Sequence, residues 1–189
     1  KDQSQKERLM FGNWEYDEDP RKLIEYDAIL DLFTNTIVKK DDRFLTADIA
    51  RYGGDKIVIS CWQGFEVYKM IIKQKQGLDL TIMDIRDALR AECIPYSHAI
   101  ADDDGVGGGP VDILKIKGFV NNSSPLLNLK TDKKENYRNL KTQCSFMFAE
   151  KVNKREVSKS APLTEIDRQN IIEDLEQIRQ KDIDKEGLL

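Results

Sequence analysis

Phe44-Leu45-Thr46-Ala47-Asp48-Ile49-Ala50 reads as a strand with one acid set into it, and the rest of the fold is read outward from there. Arg51-Tyr52-Gly53-Gly54-Asp55 breaks the run. Ile57-Val58-Ile59-Ser60-Cys61-Trp62 follows as a near-continuously apolar segment, the pattern of a central strand. Gln63-Gly64 turns the chain into a third strand, Phe65 to Ile72, so the three form an antiparallel meander. The period then changes from two to 3.6. Thr81 and Asp84 have capping-box spacing, and Ile82, Ile85 and Leu89 share one helix face. Pro95 ends that helix, and Tyr96 to Ala101 reads as a fourth strand running into Asp102-Asp103-Asp104 and the loop Gly105-Val106-Gly107-Gly108-Gly109. Pro110 suits the first turn of a short helix ending at Gly118, with Phe119-Val120 as a short fifth strand. A right-handed crossover after a meander places the fourth strand parallel to the first. The expected sheet is mixed and five-stranded, in the order 3-2-1-4-5, flanked by helices in an α/β fold.

On either side the pattern is helical. Asp19-Pro20 is a helix start, and Leu23, Tyr26, Leu30 and Phe33 repeat at helical spacing, predicting a helix over 20–33. Tyr137, Leu140, Cys144, Met147 and Phe148 predict another, and Thr164 caps a last one carrying Ile171, Leu175 and Ile178. The 189 residues carry a net charge of −4, so no global basic field advertises nucleic acid, yet the charge is patchy. Seven acids crowd residues 15–31, whereas Lys130, Lys133, Lys134, Arg138 and Lys141 form a basic stretch. That stretch suits either DNA phosphates or plain solvation. No apolar run is long enough to cross a membrane or to form a signal-peptide core. Three scattered cysteines make neither a disulfide framework nor a zinc pattern and read as reduced thiols. With a single histidine, His98, read as a satisfied sheet residue, any metal must be held by carboxylates.

Asp48 is the acid with the most to explain, because an ionised carboxylate within an apolar strand needs a partner. In the expected order it neighbours Asp102, which ends strand four. Strands about 4.8 Å apart let two such carboxylates share a divalent ion, and paired ions in phosphoryl-transfer sites stand roughly 3.5–4 Å apart. Three adjacent acids repel one another, which bound Mg²⁺ or Mn²⁺ would relieve. Asp102 is the first choice of ligand and Asp104 the reserve, with Asp103 read as turned to solvent or turn amides. Asp55 is either a turn residue or a group supporting Asp48. The glycine-rich loop lacks both the dinucleotide fingerprint and a Walker A lysine, and it reads as a tight turn beside the acids.

Two of these segments, Thr46-Ala47-Asp48-Ile49-Ala50-Arg51-Tyr52-Gly53-Gly54-Asp55-Lys56 and Asp102-Asp103-Asp104-Gly105-Val106-Gly107-Gly108-Gly109-Pro110-Val111-Asp112, resemble the nuclease domain of tailed-phage large terminase subunits. Leu9-Met10-Phe11-Gly12-Asn13-Trp14-Glu15-Tyr16-Asp17 is similar to the segment joining that family's packaging ATPase to its nuclease. The resemblance implies a ribonuclease H-like fold and a Mg²⁺- or Mn²⁺-dependent endonuclease, with two ions in the complete site, that cuts concatemeric double-stranded viral DNA during packaging. In it Asp48 bridges the ions and Asp102 ligates one, so that one ion activates water and the other stabilises the leaving 3′ oxygen. The implied partners are DNA, the portal protein and the small terminase subunit, in the host-cell cytoplasm at the procapsid. The family's third acid lies near the C-terminus in an Arg-Ser-Pro-Asp-like context, and no such match follows Val152. Glu165, Asp167 and Asp174 read as part of an ordinary amphipathic helix, so the third acid is expected beyond Leu189. The chain then divides into a linker at 1–40, joining an absent ATPase domain, and a nuclease domain at 41–189 that is incomplete at its C-terminus. The rival readings are a junction-resolving nuclease on the same fold and a non-catalytic DNA- or portal-docking module.

Overall fold

The computed structural model describes residues 19–36, 42–49, 56–104, 108–128 and 131–180. In chain order the elements are α1 (Tyr26–Asp31), β1 (Arg43–Asp48), β2 (Lys56–Gln63), β3 (Glu66–Gln74), α2 (Leu78–Ala91), β4 (Ala99–Asp102), α3 (Gly108–Leu114), β5 (Lys117–Phe119), α4 (Leu140–Asn153), β6 (Ser158–Lys159) and α5 (Glu165–Glu176). The sheet has six strands in the order β5-β4-β1-β2-β3-β6. The meander is antiparallel throughout, with Ala47 opposite Ile59 and Ile59 opposite Ile71. Gly64, at a φ of 57°, makes the left-handed step of the β2–β3 turn that a side chain would resist. β4 pairs parallel to β1, with Leu45 opposite Ala99 and Ala47 opposite Ala101. The five strands expected from sequence therefore lie in the expected order. β6 is an addition, pairing parallel to β3 through Glu66–Ser158 and Val67–Lys159.

Period-two alternation gives the sheet two different faces. Leu45 and Ala47 of β1 and Ile57, Ile59 and Cys61 of β2 pack with Ile82, Ile85 and Leu89 of α2 and Leu114 of α3. A second cluster joins Ala28 and Ile29 of α1 to Ala149 and Val152 of α4 and Ile172 of α5, with Trp62 of β2 against it.

Several boundaries differ from the sequence reading, for local reasons. The helix expected over 20–33 is confined to Tyr26–Asp31, because Asp19 does not cap it; its carboxylate takes Arg21 and Arg179 instead. α2 begins at Leu78, three residues early. Thr81 is a buried interior residue whose hydroxyl donates to the Gly77 carbonyl, while Asp84 accepts from the Gln76 amide rather than closing a capping box. Tyr96–His98 is a 3-10 turn after Pro95, which leaves β4 to start at Ala99. α3 stops at Leu114, and β5 begins at Lys117. α4 starts at Leu140, where Asn139 accepts from the Thr142 amide. Thr164 caps α5 as expected, accepting from the Asp167 amide. The boundary proposed at residue 40 falls outside the described residues, as do Asp55, Lys130 and the glycines at 105 and 107.

Candidate active site

In open α/β sheets ligands collect beyond the carboxyl ends of strands where the order of the sheet reverses. Here that point lies between β1 and β4: from β1 the chain runs one way to β2 and β3, then returns to lay β4 and β5 on the other side. Since Ala47 pairs with Ala101, the next residues, Asp48 and Asp102, end neighbouring parallel strands at the same level. Alternation turns both away from the packed face, and both line a cleft of about 1100 Å³. Lys56, Val58 and Ser60 of β2 form its floor beside them, and Phe119, Asn121 and Lys141 close one side. Opposite stands α5, presenting Asp167, Asn170, Ile171, Glu173 and Asp174.

Three adjacent acids at the end of β4 have three different environments. Asp102 lines the cleft, and its Oδ1 accepts from the Asp104 amide at 3.2 Å. Asp103 points at β5 and α3: a Cβ on Gly118 would stand 2.2 Å from its Oδ2, and one on Gly108 would stand 3.1 Å from its Oδ1. Its amide donates to the Phe119 carbonyl at 2.9 Å. Asp103 therefore abuts two glycines rather than facing solvent. Asp104 Oδ2 accepts from the Asn121 amide at 2.8 Å, fixing the loop that follows β5, and it is not among the residues lining the cleft.

Lys56 and Asp167 are the polar pair that spans the cleft, with Nζ 2.6 Å from Oδ1. The Thr164 hydroxyl donates to Asp167 Oδ2 at 2.7 Å. The Lys56 ammonium, then the Thr164 hydroxyl, hold the Asp167 carboxyl below the usual carboxylate range. In all, Asp48, Asp102, Asp167, Glu173 and Asp174 face Lys56 and Lys141, an excess of negative charge that calls for a cation. The donors are carboxylate, amide and hydroxyl oxygens, which suit hard divalent ions such as Mg²⁺ and Mn²⁺. Among the described residues no group of three or more Asp, Glu, His or Cys side chains is arranged to hold an ion by itself. The strand acids and the helix acids stand on opposite walls.

Lys133, Lys134 and Arg138 are exposed on the loop between β5 and α4, and Lys141 follows at the cleft's edge. Buried Gln143 pins that loop, accepting from the Leu126 amide at 2.7 Å and donating to Leu126 O and to Glu135. His98 lies at the other end of β4, stacked on Phe44 at 4.8 Å with Nδ1 3.0 Å from the Arg43 carbonyl. Burial pushes the Cys61 thiol up to about 11, so it offers no thiolate at neutral pH. Sequence reasoning missed Lys56, Asn121 and the inward face of α5. The spacing of Asp167, Asn170 and Asp174 at i, i+3 and i+7 was the available signal.

No protein-family model matches the sequence, and no curated protein matches it either. Solved structures do. A point-mutant nuclease domain of the large terminase subunit gp2 of bacterial virus Sf6, with manganese and beta-thujaplicinol, superimposes with a TM-score of 0.70 at 15% identity, covering 86% of this chain and 84% of that one. The same domain with calcium gives a TM-score of 0.70 at 15% identity, covering 86% and 85%. The large terminase nuclease of thermophilic phage G20c gives 0.55 at 13% identity, covering 87% and 86%. The chain thus has the ribonuclease H-like fold of terminase nuclease domains.

Proposed function

We propose that this chain is a divalent-metal-dependent endonuclease that cuts double-stranded viral DNA during genome packaging. The observation that carries the reading is that Asp48 and Asp102, each following the paired Ala47 and Ala101 on neighbouring parallel strands at the switch point of the sheet, both line a cleft roofed by an acid-bearing helix. A point mutant of the Sf6 gp2 nuclease domain, which shares the fold, has been solved with manganese and with calcium, and the all-oxygen donor set of this cleft suits ions of that kind. Asp48 and Asp102 would hold Mg²⁺ or Mn²⁺, and α5 would supply the third acid in place of a residue beyond Leu189. Asp174 is the better candidate, because both carboxylate oxygens of Asp167 are engaged by Lys56 and Thr164. When bound, such ions supply a more acidic water and stabilise charge on the leaving oxygen.

The chain's own groups do the rest. Asn121 and Lys141 border the acids where a phosphodiester would enter, and Lys133, Lys134 and Arg138 extend a cationic surface outward along the pinned loop. Contacts of that kind fix register on phosphates without reading bases, so binding would fall steeply with salt. The portal protein and small terminase subunit would position the domain on concatemeric DNA.

Nicking of supercoiled plasmid in Mn²⁺ tests the assignment. Asp48→Asn and Asp102→Asn should each lower the rate by about a hundredfold or more, since loss of a ligand should exceed the 10–100-fold typical of its supporting partners. Asp174→Asn should weaken Mn²⁺ binding more than Asp167→Asn. Nicking that survives both strand substitutions would remove the catalytic role.

A further inference from the structure

The cleft contains a cation of its own. Lys56 opens β2, and alternation turns it to the same face as Val58 and Ser60, so its ammonium lies in the cleft rather than beside it. It meets Asp167 Oδ1 at 2.6 Å while still about a third exposed. On the other wall, α5 packs against α1 through Ile172, and the open volume separates its acidic face from the strands. That apolar packing, which reaches the sheet at Trp62, lies outside the cleft, so at the cleft itself the helix acids and the strand acids face each other across open volume. Five carboxylates across an open gap would push the walls apart, and Lys56 joins the sheet to the helix at that point.

We infer that Lys56 is the cleft's resident counter-ion, holding α5 to the sheet when no divalent ion is bound and competing with that ion for the same negative field. The inference rests on the cleft being a cation site. A divalent ion arriving at Asp48 and Asp102 would meet the Lys56 charge, and Asp167 Oδ1 would be unavailable to it until the pair opened. Removing the ammonium takes away the repulsion and frees a ligand oxygen. It also removes the tie between helix and sheet in the metal-free protein. The two consequences have opposite signs, which makes them separable.

Isothermal titration with MnCl₂ and thermal melts with and without Mn²⁺, on wild type, Lys56→Met and Lys56→Arg, test the inference. Lys56→Met should bind Mn²⁺ about three- to tenfold more tightly, as expected for loss of one nearby like charge in a partly solvated cleft. Its metal-free melting temperature should fall, and saturating Mn²⁺ should raise it by more than it raises wild type. Lys56→Arg, which keeps the charge, should bind Mn²⁺ like wild type. Equal or weaker Mn²⁺ binding by Lys56→Met overturns the counter-ion role while leaving the nuclease reading intact. If no variant binds Mn²⁺, the cation-site reading fails and takes this inference with it. Binding by Lys56→Met alone supports it in its strongest form. Should Lys56→Met fold poorly, Lys56→Gln carries the same expectation.

Discussion

β1 and β2 each show two surfaces one residue apart. On one side Leu45, Ala47, Ile57 and Ile59 are covered by α2 and α3. On the other, Thr46, Asp48, Lys56 and Val58 look into a gap that α5 spans without filling. The covered face is held by apolar contact, which is non-directional and carries no charge to titrate. The roof of the open face packs through Ile172 away from the cleft, is tied at the cleft by the charge pair Lys56–Asp167, and is joined to the segment before α1 by Lys22–Glu176 and Asp19–Arg179. One sheet thus combines a rigid platform with an adjustable roof, and precise placement of strand acids depends on the platform.

The largest expected effect comes from substituting neighbours on one strand that point opposite ways. Ile59→Ala empties a site with no solvent exposure and should cost about 2–5 kcal/mol in a urea titration. Val58→Ala, facing the cleft, should cost less than about 1 kcal/mol. Equal losses would mean that the gap is as tightly packed as the core, and the contrast between the faces would collapse.

Gly118→Ala probes the rim where the faces meet. A Cβ there would stand 2.2 Å from Asp103 Oδ2 and 2.8 Å from Asp103 Cβ, so rotating the Asp103 side chain does not relieve the clash. Gly118 also pairs with Ala101, one residue before Asp102. The substitution should cost about 1–3 kcal/mol, as overpacking usually does. Asp103→Ala in the same chain, which removes Oδ2 and Cγ but keeps the Cβ, should restore part of it. Failure of that rescue would place the strain in the β4–β5 pairing instead.

The contrast also explains what the sequence made legible. The covered face repeats with period two in the strands and 3.6 in α2, so strand order followed from a meander and a crossover. Asp48 was visible because it interrupts that pattern. β6 was not, because two residues carry no period, and its pairing depends on where α4 returns the chain. The acids of α5 were hidden for a different reason. Asp167, Asn170 and Asp174 run alongside the apolar stripe of Ile171, Leu175 and Ile178, so the helix scans as an ordinary solvated amphipath. Only the fold shows that the polar edge looks across a gap at two aspartates. Asp19 was misassigned because its N-cap spelling is genuine, while a competing claim, from Arg179, lies 160 residues away.

Acid should separate the two faces by the smallest of these effects. Hydrogen bonding to the Arg21 guanidinium, with Arg179 also close, holds the Asp19 carboxyl at about 2, and Lys56 depresses Asp167 likewise. Unfolded aspartates titrate near 3.9, so both carboxylates stay charged in the folded chain at pH values where the unfolded chain has begun to take up protons. The Asp19 contribution is complete above about pH 4 and is lost as the pH falls toward about 2, and that of Asp167 is lost in the same direction, as for any depressed carboxylate. Solvent screening limits the Asp19 share to on the order of 1 kcal/mol. In the covered cluster the titratable side chains are Cys61 and the adjoining Tyr68, pushed up to about 11 and about 12, so neither changes charge in acid. Between pH 6 and pH 3, protection factors from amide hydrogen exchange should therefore fall in α5 and hold in α2. Asp19→Asn should lose protection in α5 at pH 6 and show a smaller further loss at pH 3. A uniform fall through both helices would mean that the roof and the platform open as one unit, and that the charge ties on the open face set no separate stability.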